Sequence, residues 1–370
     1  MFKKILVYIV TYNLNKTSFG PQNALRALLK PLSMNELFII KILEINSLFD
    51  YIKSTIKILK ERPNIIHVWA PNYWIILISL LFKYFIKSNI IVTIHNYATD
   101  ELKYNIIYSS NIKKIFLYYY YRIVDALYYL IIKRVSDIHV LSIYVKNKVI
   151  KYHPEKEIYL IPYPIEREKC NATKVSLRIK YGTGLDDIIF INIANFKPNK
   201  GHFMLINSFE KALYINKNYN KKLLLIGGGN SKFLLKILRL IKSKGLDNNI
   251  RIYYNVERNI VNELLCISDC YIMASYEEGF HLPILEALNS YLFLILTPTG
   301  FGYDLKYHYS SYSFHKVVDS HNLHVSIANF KISDNDKFKQ EIDSFLMNFS
   351  EMKICEKILE MYKKVLLLHK

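Results

Sequence analysis

Cys270-Tyr-Ile-Met-Ala274 is an apolar run too short for a helix, and it reads as a buried strand. An acidic, glycine-containing turn follows, Ser275-Tyr-Glu-Glu-Gly-Phe-His281, and then the good helix-forming run Ile284-Leu-Glu-Ala-Leu288. Pro283 fits the first helical turn, where its missing N–H costs little. Strand, turn and helix in this order constrain the fold more than any other stretch of the chain. In a parallel α/β sheet the turn lies at the carboxyl end of its strand, where ligands bind. A helix start placed there offers N–H groups to an anion. Glu278 and Glu286 flank the turn with seven residues between them. Two carboxylates beside an anion-binding helix start suit a ligand that carries hydroxyls next to its phosphates, such as a nucleotide sugar.

The same order recurs along the chain. Ile5–Val10 reads as a strand, and a polar turn leads through Gly20 into a helical run over 22–29; glycine at such a turn lets backbone approach a ligand closely. Ile90–Ile94 is a β-branched strand that ends in His95 and Asn96, a position from which an imidazole reaches a hydroxyl or a phosphate. Ile188–Ile193 is a buried strand followed by a polar turn holding Asn195, Lys197 and Lys200-Gly201, then a helix over 203–213. Lys200, just before that helix, is placed to meet phosphate as a point charge. Lys222–Ile226 runs into Gly227-Gly228-Gly229, Ile250–Tyr254 into Asn255 and Val256, and Phe293–Leu296 into Thr297-Pro-Thr-Gly300. Length and pattern predict two doubly wound α/β domains. Pro162 and Pro164 stiffen the link between them, giving residues 1–164 and 165–335, followed by amphipathic C-terminal helices over 336–370.

The formal charge is +19, of which the first 165 residues carry +12. Such a surface attracts nucleic acid, anionic lipid or anionic substrate. No nucleic-acid module is recognisable among the motifs, so no nucleic-acid partner is expected, and an anionic membrane surface is the favoured contact. Lys3 and Lys4 precede only the short apolar run Ile5–Val10, which suits a first strand better than a signal core. The expected location is cytoplasmic, peripheral at the inner face of the membrane. Tyr73–Phe82 and Ile115–Ile132 are the two apolar stretches to weigh against a bilayer; the first stops at Lys83 and the second is broken by Arg122 and Asp125, so neither is expected to span. The segment 111–134 combines basic flanks with Tyr, Leu and Ile, a composition that suits either a core-packed helix or a headgroup region. Cys170, Cys266, Cys270 and Cys355 have no metal spacing and are expected as reduced thiols. Asn171-Ala-Thr173 and Asp334-Asn-Asp336 match short motifs by chance.

The wording Ser275-x-x-Glu278-Gly279-Phe280-x-Leu282-x-x-Leu285-Glu286-Ala287 resembles the signature of the family-4 (group 1) retaining glycosyltransferases of the GT-B fold. The likeness covers 188–304 well and the first domain loosely. Lys200-Gly201 matches the family's second-domain cation, while Asn195 stands where the family has Arg, with Lys197 as a nearby substitute. Only Gly20 remains of the family's first-domain glycine loop, and His95 resembles its first-domain histidine.

The resemblance implies that the C-terminal helices pack back on the first domain, and it carries further expectations for fold, reaction and residues. Two Rossmann-like domains face across a cleft, the first on the acceptor side and the second holding the donor. A sugar passes from a nucleotide-diphosphate donor to an acceptor hydroxyl with its anomeric configuration retained. Lys200, with Asn195 or Lys197, balances the diphosphate; Glu286 holds the ribose hydroxyls. Glu278 and the backbone of Gly279, Phe280, His281 and Leu282 hold sugar and phosphate; His95 meets the reacting region. Gly20, Gly228 and Val256 border the donor. No metal and no resident cofactor is expected, since Lys200 and backbone dipoles take the metal's part. The acceptor is a saccharide or a lipid-linked saccharide, in cell-surface polysaccharide or glycolipid assembly. The alternative reading is a non-catalytic nucleotide-sugar-binding subunit of a polysaccharide assembly.

Overall fold

Strands made of continuous Ile, Val and Leu are buried on both faces, and parallel strands need a crossover long enough to hold a helix. Both conditions hold throughout this chain. The structure is a computed structural model that describes residues 4–14, 20–69, 85–96, 100–107, 111–167, 172–216, 220–332 and 336–369. The chain divides into two compact units, Met1–Glu166 with Asn348–Lys370, and Arg167–Met347.

The first unit contains β1 (Ile5–Thr11), α1 (Gly20–Ser33), β2 (Phe38–Glu44), α2 (Leu48–Glu61), β3 (Ile65–Val68), β4 (Asn89–Ile94), α3 (Asp100–Ile107), α4 (Asn111–Arg134), β5 (Asp137–Val140), α5 (Ile143–Tyr152) and β6 (Ile158–Leu160). Its six strands are parallel, in the order β2-β1-β3-β4-β5-β6. The direction of winding reverses between β1 and β3, which makes their carboxyl ends the switch point of this sheet. One core gathers Tyr8, Val10, Ile66, Val92 and Val140 from the strands with Ile58 of α2, Tyr128 and Ile132 of α4 and Val149 of α5. These helices share one face of the sheet, as right-handed crossovers in a single direction require.

The second unit contains α6 (Lys174–Lys180), β7 (Ile188–Ile193), α7 (His202–Ile215), β8 (Lys221–Gly227), α8 (Ser231–Ser243), β9 (Ile250–Tyr254), α9 (Arg258–Ile267), β10 (Cys270–Met273), α10 (Pro283–Asn289), β11 (Phe293–Leu296), α11 (Phe301–His308), β12 (His315–Val317), α12 (Leu323–Ala328) and α13 (Asp336–Leu346). Its six parallel strands run β12-β11-β10-β7-β8-β9. Here the winding reverses between β7 and β10. Phe190, Leu225, Ile272 and Ile295 from four strands meet Leu205, Phe209 and Ile237 from two helices in its core.

The tail holds two helices. A 3-10 turn, Met347–Phe349, separates α13 from the last helix, α14 (Glu351–Leu368). The Ile165 N–H donates to the Phe349 carbonyl at 2.9 Å and Phe349 is buried, so a tertiary bond claims the backbone that a continuous helix would use. α13 lies in the second unit and α14 in the first, where it packs on α1.

Of the two apolar stretches, α4 over Lys114–Arg134 is long and apolar enough to cross a membrane by length and composition only, and 17% of its most apolar 18-residue window is buried. Tyr73–Phe82, Cys170, Asn171 and Asp334 lie outside the described residues. Cys266, Cys270 and Cys355 are free thiols.

Candidate functional site

In the second unit, three loops converge at the switch point. The loop after β7 carries Lys200, the loop after β10 carries Ser275 and Glu278, and the loop after β11 carries Thr299. Two glycines make the approach possible. Gly201 takes φ +68°, and a Cβ there would stand 1.9 Å from the Ala274 carbonyl oxygen, so no other residue lets the β7 loop lie against the end of β10. Gly300, at φ +54°, would carry a Cβ 2.8 Å from that of Glu278. The Tyr276 N–H donates to the Asn199 carbonyl at 2.9 Å and ties the first two loops together.

Glu278 is the point on which this arrangement closes. Its Oε1 accepts from Lys200 Nζ at 2.8 Å and from the Ser275 hydroxyl at 2.7 Å, and lies 3.1 Å from His281 Nδ1. Its N–H donates to Thr299 Oγ1 at 3.0 Å. Burial alone would raise the Glu278 pKa; the Lys200 and His281 charges and their hydrogen bonds outweigh it and hold the carboxyl well below the usual range. The group is therefore an anion at every physiological pH. His281 has φ +68°, a left-handed conformation that costs energy in a residue with a Cβ. That conformation sets its ring between Glu278 and Tyr271, whose hydroxyl lies 2.6 Å from Nε2.

Glu286, one helix turn into α10, is also buried, and Arg258 Nη1 stands 2.8 Å from its Oε1. Arg258 opens α9, beyond β9. Asn195 and Asn255 meet over Gly228: a Cβ on that glycine would lie 2.2 Å from Asn255 Oδ1 and 3.8 Å from Asn195 Oδ1. Val256 continues the loop after β9, and Lys197 is exposed at the start of the 3-10 turn Pro198–Lys200. Gly279 sits within the acidic turn. The Phe280 ring packs on Phe301 at 4.6 Å in the core, so its side chain is structural, and Leu282 caps α10. Carboxylate and cation thus alternate along the carboxyl edge of the sheet. Opposite charges held this way are preorganised to exchange partners with a ligand that bears both phosphates and hydroxyls.

In the first unit, His95 follows β4. Its Nε2–H donates to the Trp69 carbonyl and its Nδ1 accepts from the Tyr163 hydroxyl. Burial lowers its pKa to about 4, which matches a neutral ring in this tautomer. Gly20 opens α1 at the switch point of the first sheet, where the Trp69 indole N–H donates to the Pro21 carbonyl at 2.8 Å. Residues 15–19, the body of that loop, lie outside the described residues.

Sequence reasoning did not single out Arg258, Thr299 or Tyr271. Arg258 has no motif of its own, and only the fold carries it to Glu286. Thr299 was visible as part of a turn, but its bond to the Glu278 backbone depends on Gly300. Among the described residues, no cluster of three His, Cys, Asp or Glu side chains is arranged to hold a metal ion.

Known proteins resemble this chain in sequence and in fold. Residues 174–346 match the family of glycosyl transferases group 1. An uncharacterized glycosyltransferase of Methanocaldococcus jannaschii is 29% identical over 69% of this chain and 61% of its own. The GPI3 subunit of the phosphatidylinositol N-acetylglucosaminyltransferase of Saccharomyces cerevisiae is 22% identical over 56% of this chain and 46% of its own. The matches therefore span less than two thirds of either relative. The Anabaena protein HepE, solved in complex with UDP-glucose, superposes with a TM-score of 0.71 over 97% of this chain and 100% of its own, at 13% identity. That likeness shows a shared GT-B architecture. The family match covers the unit that holds Lys200, Glu278 and Glu286, so residues 174–346 resemble the group 1 glycosyl transferases, in a chain with the GT-B fold.

Proposed function

We propose that the chain is a retaining glycosyltransferase that moves a sugar from a nucleotide-diphosphate donor to an acceptor hydroxyl. The observation that carries the reading is the Lys200–Glu278 pair, 2.8 Å apart at the switch point of the second sheet. In the proposal Lys200 exchanges the carboxylate for the donor's diphosphate, and Lys197 and Asn195 support it from the same loop. Glu278, released, accepts from the hydroxyls of the transferred sugar, with the backbone of 279–282 beside it. Glu286 exchanges Arg258 for the ribose hydroxyls. The loops at Gly228 and Val256 border the base. In the first unit, His95 is proposed to meet ligand through a ring nitrogen that trades its protein partner for it.

Charge develops on the departing diphosphate, and Lys200 is already in place to meet it, so no reorganisation is needed as the bond breaks. In this reading no metal cofactor takes part. The HepE complex with UDP-glucose makes a uridine diphosphate sugar the first donor to test. The product belongs to cell-surface polysaccharide or glycolipid assembly, with a saccharide or lipid-linked acceptor. The test is release of nucleoside diphosphate from a panel of nucleotide sugars, in EDTA, with the product's anomeric configuration read by NMR. Turnover with retention supports the proposal. Tight donor binding without turnover, even with an acceptor mixture, would support a non-catalytic donor-binding subunit instead.

A further inference from the structure

The first unit leaves two helical stripes uncovered. On α2, Phe49, Ile52, Ile56 and Leu59 recur at spacings of three and four residues, the repeat of one helix face. All four are exposed, Phe49 at 71% and Ile56 at 62%. On α4, Phe116, Tyr119, Ile123, Leu127 and Leu130 make a second stripe, also exposed, with Phe116 at 73% and Ile123 at 61%. The opposite side of α4 is apolar too: Val124, Tyr128 and Ile132 are buried in the unit's core. This helix is therefore greasy on two sides, one turned to the sheet and one to the outside. Single exposed apolar residues are ordinary, whereas two long stripes on one face of one sheet mark an interaction surface.

The charges around the stripes say what covers them. α4 carries Lys113, Lys114, Arg122, Lys133 and Arg134 against Asp125 alone, and α2 adds Lys53, Lys57 and Lys60 against Asp50 and Glu61. The first 165 residues hold +12 of the net +19. A second copy of so basic a face would repel it. An anionic bilayer matches it in both respects, with acyl chains for the stripes and headgroups for the cations, and tyrosines suit the level between.

We infer that α2 and α4 together dock the first unit on an anionic lipid surface, with both helices lying in the plane of the membrane. α4 has the length and hydropathy to span. Spanning would surround it with lipid and pull Tyr128 and Ile132 out of the core they complete with Tyr8, Val92 and Val140. Lying flat keeps that core and buries only the outer stripe. The inference deepens the reading of a membrane-delivered acceptor and rests on it for its biological meaning, while the docking itself requires no donor.

The experiment is co-sedimentation of the full chain with vesicles of phosphatidylcholine alone or of equal parts phosphatidylcholine and phosphatidylglycerol, at low and high salt. The variants are Ile123→Ser with Leu127→Ser, and Ile52→Ser with Ile56→Ser, all at exposed positions. The wild type is expected to bind the anionic vesicles at low salt, and each double variant to bind at least about tenfold more weakly, since each loses two inserted side chains. Nucleotide-induced thermal stabilisation, measured on the same samples, reports the second unit separately. Its loss would count against the transferase reading and leave the vesicle result standing. The docking inference is overturned by absence of binding to anionic vesicles at low salt, or by variants that bind as the wild type does. It is equally overturned by a dimer that the same variants dissociate, or by a membrane-bound fraction that resists alkaline carbonate.

Discussion

At the scale of single residues, Glu278 holds three loops of the second unit together. Three partners share its Oε1, and its backbone holds the fourth. Lys200 is largely buried, with 13% of its side chain exposed, and Glu278 is its counter-ion. Glu278→Gln keeps the shape and removes the charge. A buried cation left without its anion costs roughly 3 kcal/mol, and that loss is the expected drop in urea-unfolding free energy of the second unit. An unchanged unfolding midpoint would mean that Lys200 finds water when the carboxylate is gone. Glu278, Glu286 and Lys200 stood out in the sequence because each sits at a strand, turn and helix junction whose wording resembles a family signature. Arg258 was not legible, because its pairing with Glu286 depends on β9 and β10 being brought together by tertiary folding.

At the scale of elements, three neighbouring strands of the first unit share one buried polar row. The Ile161 carbonyl can only accept, so His139 Nε2 donates to it at 2.7 Å, and His139 Nδ1 accepts from the Thr93 hydroxyl at 2.9 Å. Thr93 in turn accepts from His67 Nε2–H at 2.8 Å, and His67 Nδ1 accepts from the Tyr362 hydroxyl at 2.8 Å. The row runs from α14 across β3, β4 and β5, with each imidazole neutral. Burial lowers the His139 pKa to about 4 and the His67 pKa well below its ordinary value. The unfolded chain takes up a proton near pH 6.5, whereas folded His139 does so only near pH 4. Between those values the unfolded state binds more protons, so stability is full above pH 6.5 and falls as the pH drops toward 4. From pH 7 to pH 4.5 His139 alone should account for about 2–3 kcal/mol of lost stability. His139→Gln should show a correspondingly shallower fall in urea unfolding between those pH values; an equal fall would show that other groups set the acid limit. The strands of this row were readable as β-branched runs, but nothing in the spacing of His67, Thr93 and His139 announces that they touch. Parallel register aligns them, with Thr93 beside His139 and His67 beside Ile91. In the tail, a 3-10 turn at Met347–Phe349 separates the two helices, and the Phe349 carbonyl there accepts from the Ile165 N–H.

At the scale of the molecule, two units built on the same plan carry different surfaces. Among the described residues both have six parallel strands and one reversal of winding, and loops converge at that reversal. In the second unit those loops bring cations to carboxylates. In the first they present His95 and Gly20, and the helical face behind them is basic and apolar. This plan was legible because repeated strand, polar turn and helix leaves few architectures open. Donor base, sugar and acceptor were not, because they depend on side chains in loops whose conformations follow from the fold and leave no periodic trace.

Under the proposed function, Lys200 anchors a nucleoside diphosphate in the second unit. Thermal unfolding of the wild type and of Lys200→Ala, with UDP and the other nucleoside diphosphates at about 100 times the dissociation constant, tests it most directly. Binding to the folded state alone at that ratio adds about 2.7 kcal/mol. One diphosphate should raise the wild-type transition and leave that of Lys200→Ala unmoved. A wild type indifferent to every diphosphate, or a mutant that responds as fully as the wild type, would contradict the account.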